Sequence, residues 1–264
     1  MAKLSHAQVK QHRLACDLLT KDALTLDERE FVVENWNEGA EHNNAAAGAF
    51  FTPLGLAYDM ALDVSGKRIL DLCAGIGGLS YAAYWHGRRY NDRPEITCVE
   101  MNPGYAAVGR KIMPEARWIE ADVQNLPDDL GKFDWVISNP PFGKKIKIAG
   151  PRYVGEADLA VIDIASQYAP DGTFIIPQMS CPFEYSGRPY YRQRPSAKYE
   201  RFHKATGINL EAGCGVDCSY YIAAWKGVAP SVEIVTADFE TQCPMLHRQR
   251  HSGPVVPESH GRQY

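Results

Sequence analysis

The chain contains no run of 18 apolar residues and no signal-peptide pattern, so neither a membrane-spanning helix nor export is expected. Its seven cysteines include no C-x2-C pair, which excludes the common zinc-ribbon and zinc-finger arrangements. Cys214 and Cys218 suit a strand or turn better than a metal, so no metal site is expected. Reduced thiols and a cytoplasmic location follow as the default expectation. Positive charge is not in excess: 28 Lys and Arg face 32 Asp and Glu, for a net charge of −4. Nucleic-acid contact must therefore rest on local patches, because there is no global basic field. No G-x-G-x-x-G dinucleotide fingerprint and no internal repeat is present. At 264 residues, one main domain with short extensions fits better than two equal domains.

What the sequence does hold is concentrated in Asn139-Pro140-Pro141-Phe142, directly after the apolar strand signal Phe133 to Ser138. A strand that meets two prolines must stop, since neither has an N–H and each restrains the residue before it. The stiff turn presents the Asn139 amide and the Pro140 carbonyl above the strand. Two oxygens fixed there can accept both hydrogens of an exocyclic amine, and Phe142 offers a flat face for a planar base.

Three further strand signals precede this one. Arg68 to Leu72 runs into Cys73-Ala74-Gly75-Ile76-Gly77-Gly78, a turn whose glycines permit close backbone approach before a helix start. Ile96 to Glu100 ends in an acid where a ribose-binding carboxylate is expected. Ala116 to Asp122 ends in acids again, with Asp122 placed to accept from an adenine amino group. Asp71, Glu100, Asp122 and Asn139 thus stand at the carboxyl ends of successive strands, the edge of a parallel sheet where ligands bind.

This set resembles the class I S-adenosylmethionine-dependent methyltransferases, and within them the N6-adenine DNA methyltransferases, over roughly residues 48–227. The resemblance implies S-adenosylmethionine as cofactor. Its seat would comprise Phe51, Thr52 and Pro53 at the methionine end, Asp71, Ala74, Gly75 and Gly77 in the Gly-rich motif, Glu100 and Met101, Asp122 and Val123, and Asn139. The catalytic residues would be Asn139, Pro140, Pro141 and Phe142, acting by direct methyl transfer to a base flipped out of the duplex. The Gly-rich motif is also similar to that of cytosine-C5 methyltransferases, but those need a Pro-Cys nucleophile. Here Cys181-Pro182 and Cys243-Pro244 have the reverse order.

The implied fold is α/β and Rossmann-like, with a mostly parallel seven-stranded sheet, helices on both faces and an N-terminal helical extension over 1–47. The methyltransferase domain would span 48–240 with a basic insert near 178–205, and 241–264 reads as a disordered tail. Helices are expected over 5–20, from Thr25, after Pro53, Gly78 and Pro103, and over 156–168. Late strands are expected at 173–176, 215–225 and 232–235. Lys144 and Lys145 follow the catalytic turn, in a basic segment ending near Arg152, while Arg188, Arg192 and Arg194 mark the insert among Tyr190, Tyr191 and Tyr199. These residues are the candidate nucleic-acid contacts, with DNA the expected partner and the oligomeric state open. Tyr153 or Tyr185 is a candidate for covering the base's second face. The rival readings are an RNA amino-methyltransferase, a protein-glutamine methyltransferase and a non-catalytic binder. Phe142 in place of the usual Tyr and the basic insert count against the second. The intact acids count against the third.

Overall fold

The computed structural model describes residues 5–37, 50–86, 93–142, 146–226 and 229–240. Two helices, α1 (His6–Leu18) and α2 (Leu26–Asn35), open the chain. Each begins with a capping box. The Ser5 hydroxyl accepts from Gln8 N at 3.2 Å and the Gln8 amide oxygen accepts from Ser5 N at 2.9 Å, and Thr25 and Glu28 do the same for α2. In α1, Ala15 is buried, Leu18 packs against the core and Leu14 is exposed.

From residue 54 the chain alternates helix and strand. The elements are α3 (Leu54–Met60), β1 (Arg68–Leu72), α4 (Gly78–Trp85), β2 (Glu95–Glu100), α5 (Pro103–Ile112), β3 (Arg117–Glu120) and β4 (Trp135–Ser138). A hairpin of β5 (Lys147–Ala149) and β6 (Val154–Glu156) leads into α6 (Ala157–Ala165) and β7 (Asp171–Pro177). A second small pair, β8 (Phe183–Glu184) and β9 (Arg192–Gln193), precedes α7 (Ala197–Thr206), and β10 (Val232–Asp238) ends the described chain.

The main sheet has six strands in the order β10-β7-β4-β1-β2-β3. All neighbours are parallel except β10, which runs antiparallel on β7 at the edge. Side chains alternate between its two faces, so Ile69 packs in one core and Leu70 and Leu72 in the other. Helices α2 to α5 cover the first face, and α6 and α7 the second.

The expected seventh strand is absent among the described residues. Its sequence, 215–225, instead forms a 3-10 helix at Cys218–Ala224. Asp217 explains the change, since its carboxylate accepts from Ser219 N and from Gly187 N, both at 2.9 Å, and caps the turn. Gly213 and Gly215 both have positive φ, which breaks any extended run into it. The expected tail, 241–264, lies outside the described residues.

Candidate active site

All four carboxyl-terminal strand ends from β1 to β4 open into one cavity of about 680 Å³. At the end of β1, Cys73 takes a left-handed backbone with φ 58°, unusual for a residue with a side chain. Gly75 follows at φ 57°, and Gly77 at φ 83° is the cap of α4. A Cβ on Gly75 would stand 2.8 Å from the Phe51 ring, so glycine is needed both for conformation and for space.

Glu100 ties the first two strand ends together. Its carboxylate accepts from Gly75 N at 2.8 Å and Asn102 N at 2.7 Å. Burial raises its pKa above the usual carboxylate value, and those backbone donors oppose the rise. Asn102 caps α5, accepting from Gly104 N at 2.9 Å, with Pro103 in the first turn. Asp122, past β3, lines the cavity and accepts from Gln124 N at 2.9 Å.

Asn139 follows β4. Its Nδ2 donates to Phe50 O at 2.7 Å and to Thr52 Oγ1 at 3.0 Å. A carbonyl can only accept, so the nitrogen must face Phe50 and the amide orientation is fixed. The Oδ1 atom is thereby turned to the other side, buried and without a hydrogen-bond partner.

Of the residues expected to hold the cofactor, Phe51, Thr52, Ala74, Gly75, Glu100, Met101, Asp122, Val123 and Asn139 line the cavity. Pro53, Asp71 and Gly77 do not. Pro53 caps α3, and Gly77 turns toward the Trp118 ring, 3.1 Å from where its Cβ would stand. Asp71 is fully buried and accepts from Ser80 Oγ at 2.6 Å, so it braces α4 from within β1. Its other oxygen has no partner, and burial pushes its pKa up to about 7.

The catalytic tetrapeptide divides in the same way. Asn139 and Pro141 line the cavity, whereas Pro140 and Phe142 are buried behind it. Phe142 is 8% exposed, with its ring packed against Phe50 at 5.3 Å. Neither tyrosine expected on the base's second face lines the cavity. Tyr153 is buried, donates to Glu156 at 2.6 Å and packs on Phe202, and Tyr185 packs in the core on the α6 face.

Several wall residues carry signals that the motifs did not single out. Cys73 sits inside the Gly-rich motif, with a thiol that burial and the nearby Glu100 and Asp71 carboxylates push far upward, so it stays protonated. Ile146 and Ile148 belong to a stretch whose lysines dominate its reading, yet their alternate spacing puts both on the wall. Val33 also lines the cavity, which makes α2 part of the site. It is held there by Lys226 Nζ, which donates to Val33 O and Trp36 O, both at 3.0 Å.

The insert leaves the same sheet edge after β7. The buried Glu233 of β10 fastens it, accepting from Tyr185 N at 2.8 Å, Ser186 N at 2.9 Å, Ser186 Oγ at 2.6 Å and Gln178 Nε2 at 2.6 Å. Arg188 and Arg194 both pair with Glu184, at 3.3 and 2.9 Å, and Arg192 lies over the Tyr190 ring at 5.7 Å. Tyr190 and Tyr191 are exposed. Arg152 is not free for phosphates, because it is held by the buried Asp163 at 2.8 Å and by Thr206 O at 3.0 Å. Lys144 and Lys145 lie outside the described residues. Among the described residues no cluster of His, Cys, Asp and Glu could hold a metal ion, and no helix is long and apolar enough to cross a membrane.

Residues 56–157 match the family profile of the methyltransferase small domain. The comparison with curated proteins gave no match. Among solved structures, the type I restriction-modification methyltransferase subunit of Streptococcus thermophilus aligns at 15% identity and TM-score 0.53, over 79% of this chain and 49% of that one. A Listeria monocytogenes protein assigned as a class I S-adenosylmethionine-dependent methyltransferase aligns at 14% identity and TM-score 0.53, over 83% of this chain and 69% of that one. A modification subunit assigned to a type I restriction enzyme of Vibrio vulnificus aligns at 14% identity and TM-score 0.51, over 81% and 50%. The chain thus spans about half the length of both restriction-system subunits. At these identities the likeness is one of fold. The tight Gly75 turn, Glu100 and Asp122 line the same cavity, a set that fits S-adenosylmethionine. Residues 56–157 thus carry the methyltransferase small-domain profile, and the mostly parallel six-stranded sheet has the Rossmann-like methyltransferase fold.

Proposed function

We propose that this chain methylates the N6 amine of adenine in DNA. The observation that carries the reading is Asn139 Oδ1, a buried acceptor with no partner, held in place by the two bonds of its own Nδ2. A buried amide oxygen left unpaired costs about 1–3 kcal/mol, and a substrate N–H in the cavity would remove that cost. An exocyclic amine supplies such a donor.

S-adenosylmethionine, held by Gly75, Glu100 and Asp122, supplies an electrophilic methyl group when bound. The protein's part is to prepare the amine. Adenine N6 is a weak nucleophile because its lone pair is delocalised into the ring. Acceptance of a hydrogen by Asn139 Oδ1 favours the pyramidal amine, whose lone pair is localised. Prolines at 140 and 141 stiffen the turn, so the acceptor needs little reorganisation. The Cys73 thiol, held protonated in the wall, takes no nucleophilic part.

Adenine must leave the duplex before N6 can reach this cavity. The insert supports nucleic acid as the substrate, with exposed arginines and tyrosines on the sheet edge that carries Asn139. The likeness in fold to two restriction-modification subunits favours DNA over RNA. Incubation of the purified protein with labelled S-adenosylmethionine and DNA, RNA or protein tests the reading. Label in DNA, recovered as N6-methyladenine, is expected. Label confined to RNA or protein would refute DNA as the substrate.

A further inference from the structure

The one aromatic residue of the catalytic turn, Phe142, has no ring face open to the cavity. It is a core residue, 8% exposed, with its ring 5.3 Å from that of Phe50 at an interplanar angle of 41°. Phe50 is half-buried and lines the cavity. Its backbone is fixed beside the catalytic amide, because its carbonyl accepts from Asn139 Nδ2 at 2.7 Å.

The next residue, Phe51, turns toward the other half of the cavity. Its ring closes over the Gly-rich turn, 2.8 Å from the position of a Gly75 Cβ. It is wedged against Trp36 and Tyr105, with ring centroids 5.4 and 5.0 Å away. Two consecutive aromatics therefore divide one cavity, Phe51 on the side of the Gly-rich turn and Phe50 on the side of Asn139.

We infer that Phe50 is the platform on which the target base stacks, and that Phe142 is the buttress behind it. The inference rests on the amino-group reading above. A planar ring bonded through its amine to Asn139 Oδ1 needs a flat apolar surface beside that oxygen, and Phe50 is the aromatic that the cavity offers there. Phe142 sets the tilt of that surface from below.

The test compares wild type with Phe50→Leu, Phe50→Tyr and Phe142→Leu on a duplex that the wild type methylates. Loss of one base–aromatic stack corresponds to roughly a 5- to 150-fold change. Phe50→Leu is expected to raise KM for the duplex within that range, and Phe50→Tyr to restore it. Cofactor affinity by calorimetry should stay within about twofold of wild type for Phe50→Leu. With 2-aminopurine at the methylated position, the Phe50→Leu complex should be brighter, since stacking on an aromatic ring quenches the probe. Phe142→Leu should mainly lower Tm, with a smaller effect on KM. Wild-type KM and fluorescence in Phe50→Leu would overturn the inference and leave the amino-group reading standing. So would a loss confined to cofactor affinity. A wild-type protein that methylates no nucleic acid would remove that reading, and the inference with it.

Discussion

Replacement of Asn139 by alanine separates catalysis from stability in a way that the geometry makes quantitative. The variant loses the bonds from Nδ2 to Phe50 O and Thr52 Oγ1. Each neutral hydrogen bond contributes about 0.5–1.5 kcal/mol net, so the loss is about 1–3 kcal/mol. The same substitution removes Oδ1, whose burial without a partner costs about 1–3 kcal/mol. The two nearly cancel, and Tm of the free protein should move by no more than a few degrees. Turnover should fall at least about a hundredfold, the scale seen when one preorganised hydrogen-bonding group is taken from a reacting centre. Cofactor affinity should change little, because Glu100 and Asp122 are untouched. Thermal unfolding, calorimetry with S-adenosylmethionine and single-turnover methylation give the three numbers. Turnover within a few-fold of wild type, in a folded variant that still binds cofactor, would refute the assigned role of Asn139. A drop in Tm worth well over 3 kcal/mol would show that Oδ1 has a partner after all.

Gly75→Trp should abolish cofactor binding in calorimetry, since its side chain would enter the space now held by Phe51 and the cavity. Asp122→Ala should weaken binding only several-fold, the worth of one hydrogen bond. Asp71 has a raised pKa in the folded chain, so the folded state holds its proton more tightly than the unfolded state and stability falls as pH rises from about 4 to 7. Asp71→Asn should flatten that part of the Tm-versus-pH curve, and a gain in Tm that does not grow across this window would refute the assignment. Changing Arg188, Arg192 and Arg194 to Ser should lower the slope of log DNA affinity against log salt by about 1–3 units, at about 0.9 per phosphate contact, without altering cofactor binding. An unchanged slope would leave these arginines as a solvated surface.

The strand–turn–helix order from Arg68 to Ser138 is readable in the sequence because each strand ends in a residue that chemistry limits. Gly75 and Gly77 need positive φ, Pro140 stops β4, and Asn102 and Pro103 start α5. The inner arrangement is less legible. Asp71 and Glu100 both read as strand-end acids, yet Asp71 lies beside Cys98, two residues short of Glu100, which puts Asp71 in the core and leaves Glu100 on the cavity wall. Phe142 reads as an open stacking surface, because nothing local shows that Phe50, far away in sequence, lies across its ring. The 215–225 segment reads as a strand because its apolar content is strand-like. Asp217, which accepts from Ser219 N and from the distant Gly187 N, caps it as a helical turn instead.

The same kind of long-range contact governs how the insert would meet a nucleic acid. Arg188 and Arg194 share Glu184, so part of the local positive charge is already balanced. Both arginine side chains are at least half exposed, so solvent and salt screen the pairs and a phosphate can compete with Glu184 for them. Glu233 acts differently. It is 1% exposed, and its four donors come from the start of the insert, so the base of the insert is fastened to β10. Removing this carboxylate would leave buried donors unpaired, a much larger cost than breaking a surface pair. The insert thus combines a rigid root with arginines that can change partners. Glu184→Gln should therefore strengthen DNA binding and steepen its salt dependence, because it frees two arginines without disturbing the root. Glu233→Gln should lower Tm and weaken binding together. Equal effects of the two substitutions on binding, measured by titration at several salt concentrations, would contradict this division of roles.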